Sequence, residues 1–182
     1  MNLPVVLNQT NVVAAGGCIG LVGTGVKIRH VYISPGHNYM GRHGLPPNEH
    51  PIIELDTVEC VAGAGLVGDR YFNHKENYKG QITFFSWEVH AQLCNNSREP
   101  AVAPSVYRRN VIVEGVDLCQ LIGQRFQLQG LTFEGVEECK PCYWMDRALA
   151  PGAEEAMRGR GGLRARILTT GILRRGEPRL RV

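Results

Sequence analysis

Two thiols stand three positions apart in Cys139-Lys140-Pro141-Cys142, and no other stretch of the chain writes reactive chemistry at so defined a spacing. An apolar run (Leu131, Phe133, Val136) precedes them and a helix-like segment from Met145 to Ala150 follows, which places the pair at a strand-to-helix junction. Free N–H groups at a helix start carry partial positive charge and favour thiolate over thiol; the thiolate attacks, carries sulfur or binds a soft metal. Cys142 is the expected working residue, because it lies nearer the helix and Pro141 fixes the backbone φ that presents it. Cys139 is read as a resolving thiol or simply a neighbour. One pair cannot supply the four ligands of structural zinc. A thioredoxin-type dithiol would follow a strand of a βαβ unit, whereas this pair sits in mainly β surroundings.

Other stretches offer charge rather than nucleophiles. His37, His43 and His50 place three of the six histidines within fourteen positions, with Arg42 among them. Such a loop can ligate a metal or hold an oxyanion, and an exposed polar loop explains it equally well. Gly65-Leu66-Val67-Gly68-Asp69-Arg70 is a glycine-framed turn ending in an opposite-charge pair, suited to a ligand or to joining two strands. Arg108-Arg109-Asn110 opens an apolar strand, and two arginines at a strand mouth suit an anion. From Gly159 to Arg166, flexible backbone alternates with Arg160, Arg164 and Arg166, the ingredients of a phosphate cradle. It is not a nucleotide-binding P-loop, since no Gly-Lys-Ser/Thr is present, and Gly23-Thr24-Gly25 lacks the third glycine of a dinucleotide fingerprint.

The elements that must hold these groups read as short strands. Strands are predicted over 18–33, 52–55, 57–61, 82–85, 110–114, 125–128, 131–136, 163–169 and 179–182. Helices are predicted over 86–93, with Ser86 as N-cap and Glu88 in the first turn, and around 143–149 and 153–158. Residues 34–51 read as a long polar loop. Many strands, frequent glycine turns and few helices predict a mainly β (α+β) fold, a β-barrel or sandwich with peripheral short helices. At 182 residues, 43% hydrophobic and 20% charged, the expectation is one soluble domain spanning 1–182.

Net charge is only +3, but residues 147–182 hold nine arginines against three acids. With no continuous basic tract, a nucleic-acid partner is not expected. The six cysteines are scattered, and no cationic segment followed by an apolar one opens the sequence, so reduced thiols and a cytoplasmic location are expected. Cys18, Cys60, Cys94 and Cys119 read as small buried hydrophobes. No apolar run is long enough to span a bilayer, so no membrane partner is expected.

Taken in order, Gly65-Leu66-Val67-Gly68-Asp69-Arg70, Gly80-Gln81-Ile82-Thr83, Arg108-Arg109-Asn110, Gly115-Val116-Asp117-Leu118, Leu121-Ile122-Gly123, Cys139-Lys140-Pro141-Cys142 and Gly159-Arg160-Gly161-Gly162-Leu163-Arg164-Ala165 resemble the MOSC domain. That module forms the C-terminus of molybdenum-cofactor sulfurases and also occurs alone; the resemblance covers roughly residues 18–182. It implies a β-barrel-rich fold with outer helices, and a role in binding molybdenum cofactor or handling its sulfur. The family cysteine that carries sulfur or ligates molybdenum matches Cys142, and Arg109 with Asn110 match an Arg-Asn pair on the cofactor-facing strand. Asp69, Arg70, Cys139, His37 and His43 join them as candidate cofactor-binding residues. Molybdopterin carries a dithiolene and a terminal phosphate, which calls for cationic forks and a soft ligand. Arg109, Arg160 and Arg164 suit the first and Cys142 the second. The pyridoxal-phosphate domain that releases sulfur from cysteine in full sulfurases has no counterpart in this sequence, so pyridoxal phosphate is not an expected cofactor.

Three functions are open at this level. First comes a module that binds molybdenum cofactor or carries sulfur on Cys142. Close behind is a molybdenum-dependent reductase of N-hydroxylated compounds. No four-cysteine iron–sulfur pattern or flavin motif is visible, so a separate electron-donor protein would supply the electrons. A metal or anion sensor built on His37–His50 stands third. A cofactor-delivery protein is a further possible partner, and a homodimer is expected only as the commonest oligomer.

Overall fold

The structure is a computed structural model that describes residues 20–21, 25–96 and 102–176. Strand β1 is Gly20–Leu21 and β2 is Lys27–Ile33; the loop that follows leads to β3 (Ile53–Glu54), β4 (Thr57–Val61) and β5 (Gly65–Leu66). Next come β6 (Ile82–Ser86), helix α1 (Trp87–Asn96), a 3-10 turn over Pro104–Tyr107, and β7 (Val111–Glu114). A second 3-10 turn, Leu118–Leu121, leads to β8 (Arg125–Leu128) and β9 (Leu131–Glu138). Short helices α2 (Trp144–Ala148) and α3 (Ala153–Ala156) precede β10 (Leu163–Ile167) and β11 (Gly171–Arg174).

Eight strands form one sheet in the order β1-β8-β9-β10-β6-β7-β2-β3, and β11-β4-β5 form a second. The expected closed barrel is corrected here: among the described residues the large sheet stays open. Its end strands, β1 and β3, are both two residues long. The small sheet is tied on by a bridge in which Ile28 and Gly176 exchange backbone hydrogen bonds of 3.0 and 2.8 Å. The mainly β character with a few short helices is as expected. Strands β5 and β11 were not anticipated, and the strand expected over 179–182 lies outside the described residues.

Period-two alternation in the central strands makes two cores. Ile82 and Phe84 of β6, Val111 and Val113 of β7 and Val31 of β2 face one way, with Val58, Cys60, Leu66 and Leu173 of the small sheet. Phe85, Ile112 and Tyr32 face the other way, against Trp144, Met145 and Met157. Both faces are covered, so these strands read as nearly continuous apolar runs. Burying a side chain such as Phe84 or Phe85 contributes about 1.5–3 kcal/mol.

Helix α1 forms the crossover between the parallel neighbours β6 and β7. Ser86 starts it: its hydroxyl accepts from the Val89 N–H at 3.2 Å and donates to the Glu88 carboxylate at 2.6 Å. Helices α2 and α3 carry the apolar residues that close the second core, which fixes the chain leaving the Cys139–Cys142 loop above the sheet.

Candidate functional site

The two cysteines fall between β9 and α2, the junction expected from the sequence. Cys139 is buried and Cys142 exposed. The loop between them is tied down at its base by backbone and guanidinium: the Cys139 N–H donates to the Gly162 carbonyl at 2.8 Å. Arg109 then spans three main-chain carbonyls, donating to Tyr107 (2.8 Å), Cys139 (2.8 Å) and Gly161 (3.1 Å). Gly161 packs so closely that an added Cβ would stand 2.6 Å from the Cys139 carbonyl oxygen and 2.7 Å from Pro141.

Cys142 opens into a cleft of about 180 Å³ that it shares with His37, Arg70, Arg108, Arg109 and Lys140, with Tyr39 and Trp144 as an aromatic wall. Tyr39 stacks on Trp144 at 4.4 Å. Helix α2 has only five residues, so its end offers little dipole. Arg70, Arg108 and Lys140 supply the positive potential of the cleft.

Arg108 holds the most telling position. It has a left-handed backbone (φ 53°) at the end of the 104–107 turn. Its Nη2 donates to the Gly36 carbonyl at 3.0 Å and lies 3.4 Å from the Ser34 hydroxyl. Its buried Nη1 has no hydrogen-bond partner. Burial, then the nearby Arg70, push its pKa below the ordinary arginine value, yet arginine stays charged at neutral pH. An unpartnered buried donor costs about 1–3 kcal/mol, so the fold keeps a cationic fork facing a cleft at some expense in stability.

Asp69 sets this scaffold. Buried, it accepts through Oδ2 from the Ser34 N–H (3.1 Å), the Asn110 amide (3.2 Å) and Arg70 (3.4 Å), and through Oδ1 from the Tyr71 N–H (3.1 Å). Asn110 is consumed likewise: its amide also donates to the Tyr32 carbonyl at 3.2 Å, and its Oδ1 accepts from Thr83 N–H (3.0 Å) and Oγ1 (2.7 Å). The side chains of Asp69 and Asn110 thus hold the scaffold rather than line the cleft.

The histidine loop is stapled by its asparagines. Asn38 bonds both backbone groups of His50 (3.1 and 2.9 Å), and the Asn48 amide donates to the His37 carbonyl at 2.9 Å. His37 lies edge-on to Tyr71 at 5.0 Å inside the cleft. Burial, then Arg70 and Arg108, lower its pKa. His43 is exposed beside Tyr143, and His50 covers Gly36. Among the described residues, no group of three or more His, Cys, Asp or Glu could hold a metal.

Two other arginines sit elsewhere. Arg160 donates to the Ala156 carbonyl (2.9 Å) and Gln92 (2.7 Å), beside a separate cleft of about 370 Å³ at the start of α1. Arg164 pairs with Glu137 at 3.6 Å; burial opposes its charge, but Cys139, Tyr78 and Glu137 outweigh it and raise its pKa. Sequence reasoning offered Arg109, Arg160 and Arg164 for the anion, and of these Arg109 lines the cleft of Cys142. Arg108, which sequence reasoning did not single out, lines that cleft as well and keeps a buried Nη1 without a partner; the tandem arginines were the available signal.

No disulfide joins the described cysteines, and no helix among the described residues is long and apolar enough to cross a membrane. No curated protein matches the chain. Among solved structures, the YuaD protein from Bacillus subtilis superposes with a TM-score of 0.64 at 19% identity, covering 84% of this chain and 92% of its own. YiiM from Geobacillus stearothermophilus gives 0.60 at 12% identity, over 84% of this chain and 73% of its own. YiiM from Escherichia coli gives 0.56 at 16% identity, over 86% and 71%. At such identities the shared property is the fold. A family model for the MOSC domain matches residues 73–178, a stretch running from the turn after Asp69 through the cysteine loop and past β11, and the chain therefore belongs to the MOSC domain family.

Proposed function

We propose that the cleft binds molybdenum cofactor, with Arg108 and Arg70 taking the terminal phosphate of molybdopterin and Cys142 facing the metal. The family is linked to that cofactor. The observation that carries the reading is the convergence of Arg70, Arg108 and Lys140 on the cleft that the exposed Cys142 also lines, with the Nη1 of Arg108 buried and without a hydrogen-bond partner. The donor set fits the group. A metal that arrives on its own dithiolene needs one soft protein ligand rather than a cluster, and the phosphate needs forked cations. When bound, the cofactor supplies two-electron oxygen-atom chemistry at molybdenum. The chain's part is to bind and orient: Arg109 fixes the cysteine loop, Asp69 aims Arg70, and the Tyr39–Trp144 wall limits water.

A second reading rests on the exposure of Cys142. An accessible thiol among cations also suits a persulfide, making the chain a sulfur carrier. Reduction of N-hydroxylated compounds is a further step along the first reading, with electrons from a separate donor.

The test is molybdenum and pterin content in protein purified from a host that makes the cofactor, alongside Cys142→Ser and Arg108→Gln. Stoichiometric loading that falls in both variants supports the reading. Absence of metal and pterin from the wild type, where a known cofactor protein loads, overturns it; cyanide-releasable sulfur on Cys142 would then favour the carrier.

A further inference from the structure

We infer that His37 is a proton-dependent third arm of the anion site, neutral in the empty cleft and protonated when a dianion binds, so that the site selects doubly charged phosphate-type groups over monoanions. This rests on the anion-binding part of the reading above. Its ring shares the cleft with Arg70 and Arg108. The loop that carries it is fixed by the Asn48 and Asn38 bonds, so it does not need to be recruited from solvent. Arg108 lines the cleft beside Arg70, and its buried Nη1 has no hydrogen-bond partner.

The groups around His37 decide the direction. Arg70, from the turn after β5, and Arg108, from the 104–107 turn, both disfavour a proton on the ring, as does His74. Asp69 favours one, but Ser34, Asn110 and Arg70 already draw on the Oδ2 of that carboxylate. Tyr71 meets the ring edge, and Lys140 and Cys142 line the cleft from the cysteine loop. With Arg70 and Arg108 beside it, and Arg109 and Lys140 on the same cleft, a neutral ring is favoured. A dianion placed between Arg70 and Arg108 shifts the balance: it offsets two positive charges and accepts a hydrogen bond from the ring N–H, which favours imidazolium. A monoanion offsets only one positive charge and drives protonation less.

The linkage has a definite sign. The free-state pKa of His37 lies below its ordinary value, and the bound-state value lies above the free one. Between the two, binding takes up a proton and affinity rises as pH falls, by up to ~10-fold per pH unit; below the free-state value the dependence levels off.

Sulfate is the probe, because its own charge does not change over this range. Titration calorimetry on the cofactor-free full chain, in buffers of different ionisation enthalpy, reads proton uptake directly. Binding that weakens with rising pH, with up to one proton taken up, is the expected result. His37→Gln should abolish the uptake and flatten the pH profile while sulfate still binds, whereas His74→Gln should keep the uptake and a sloping profile. Monovalent nitrate should show little proton uptake. Sulfate binding that depends on Arg108 but takes up no proton, or uptake that persists in His37→Gln, overturns the role of His37 and leaves the anion reading standing. No sulfate binding at all, with circular dichroism showing the chain folded, overturns both.

Discussion

Arg108 and Arg109 are adjacent, identical in type, and committed to opposite tasks. Arg109 spends its donors on three carbonyls of the chain, whereas Arg108, also on the cleft, leaves its buried Nη1 without a partner. Their substitutions should separate stability from binding. Arg108→Gln removes a partly desolvated cation with an unsatisfied N–H. Its unfolding free energy in urea should therefore stay within about 1 kcal/mol of wild type, while cofactor or sulfate binding is lost. Arg109→Ala strips three main-chain acceptors of their partner and should cost about 2–3 kcal/mol. Arg109→Lys should restore little, since one ammonium cannot span three divergent carbonyls. An Arg108→Gln variant that unfolds as easily as Arg109→Ala would assign both residues to the scaffold. The sequence showed both arginines at a strand mouth but not their division of labour. That division depends on the left-handed residue at 108, which breaks the alternation of the strand behind it, and on carbonyls contributed by residues 139 and 161.

Among the elements, the cysteine loop and the turn at 159–162 behave as one piece. The Cys139 N–H bonds the Gly162 carbonyl, and Gly161 lies too close to the Cys139 carbonyl to admit a methyl group. Gly161→Ala should therefore push the two apart, at a cost of about 1–3 kcal/mol, and lower molybdenum loading without touching Cys142. Gly25→Ala, where nothing lies within 4 Å of the added carbon, is the control and should leave both unchanged. Equal effects of the two would remove the coupling. This coupling explains what was legible. Strands with clear alternation, such as β8, and helix α1 with its Ser86 cap were foreseen because their signals are local. Strands β5 and β11 were not. β5 is two residues long inside a turn-like glycine motif, and β11 forms only by pairing with β4. Arg160 and Arg164 illustrate the same limit at the site: each belongs to the glycine–arginine segment, yet one turns to Gln92 and the other to Glu137, and neither lines the cleft of Cys142.

For the whole molecule, the sheet with two covered faces has a consequence for pH. Its second face packs around His90, buried, 3.1 Å from the Tyr107 hydroxyl and 4.9 Å from the Trp87 ring. Burial, then His30, lowers its pKa, and His37 is lowered in the same direction. A histidine depressed in the folded state binds fewer protons there than in the unfolded chain. Its neutral form is accommodated above the unfolded value of about 6.5, and stability falls as pH drops below that value toward the folded one. Glu114 and Glu137 act in a separate window. Their hydrogen bonds with Arg29 and Lys79 hold them below the ordinary carboxylate value of 4.5, so their contribution is present above it and fades only as pH falls further. Unfolding free energy from urea titrations should therefore decline first between about pH 7 and 5, and again in stronger acid. His90→Gln, which keeps a hydrogen-bonding group near the Tyr107 hydroxyl but cannot titrate, should flatten the first decline and leave the second. If the first decline survives in both His90→Gln and His37→Gln, the loss near neutrality does not come from neutral histidines under the sheet. If instead only His90→Gln removes it, the fold's pH sensitivity resides in the helix-covered core, and the cleft can be tuned by protonation without unfolding the molecule that carries it.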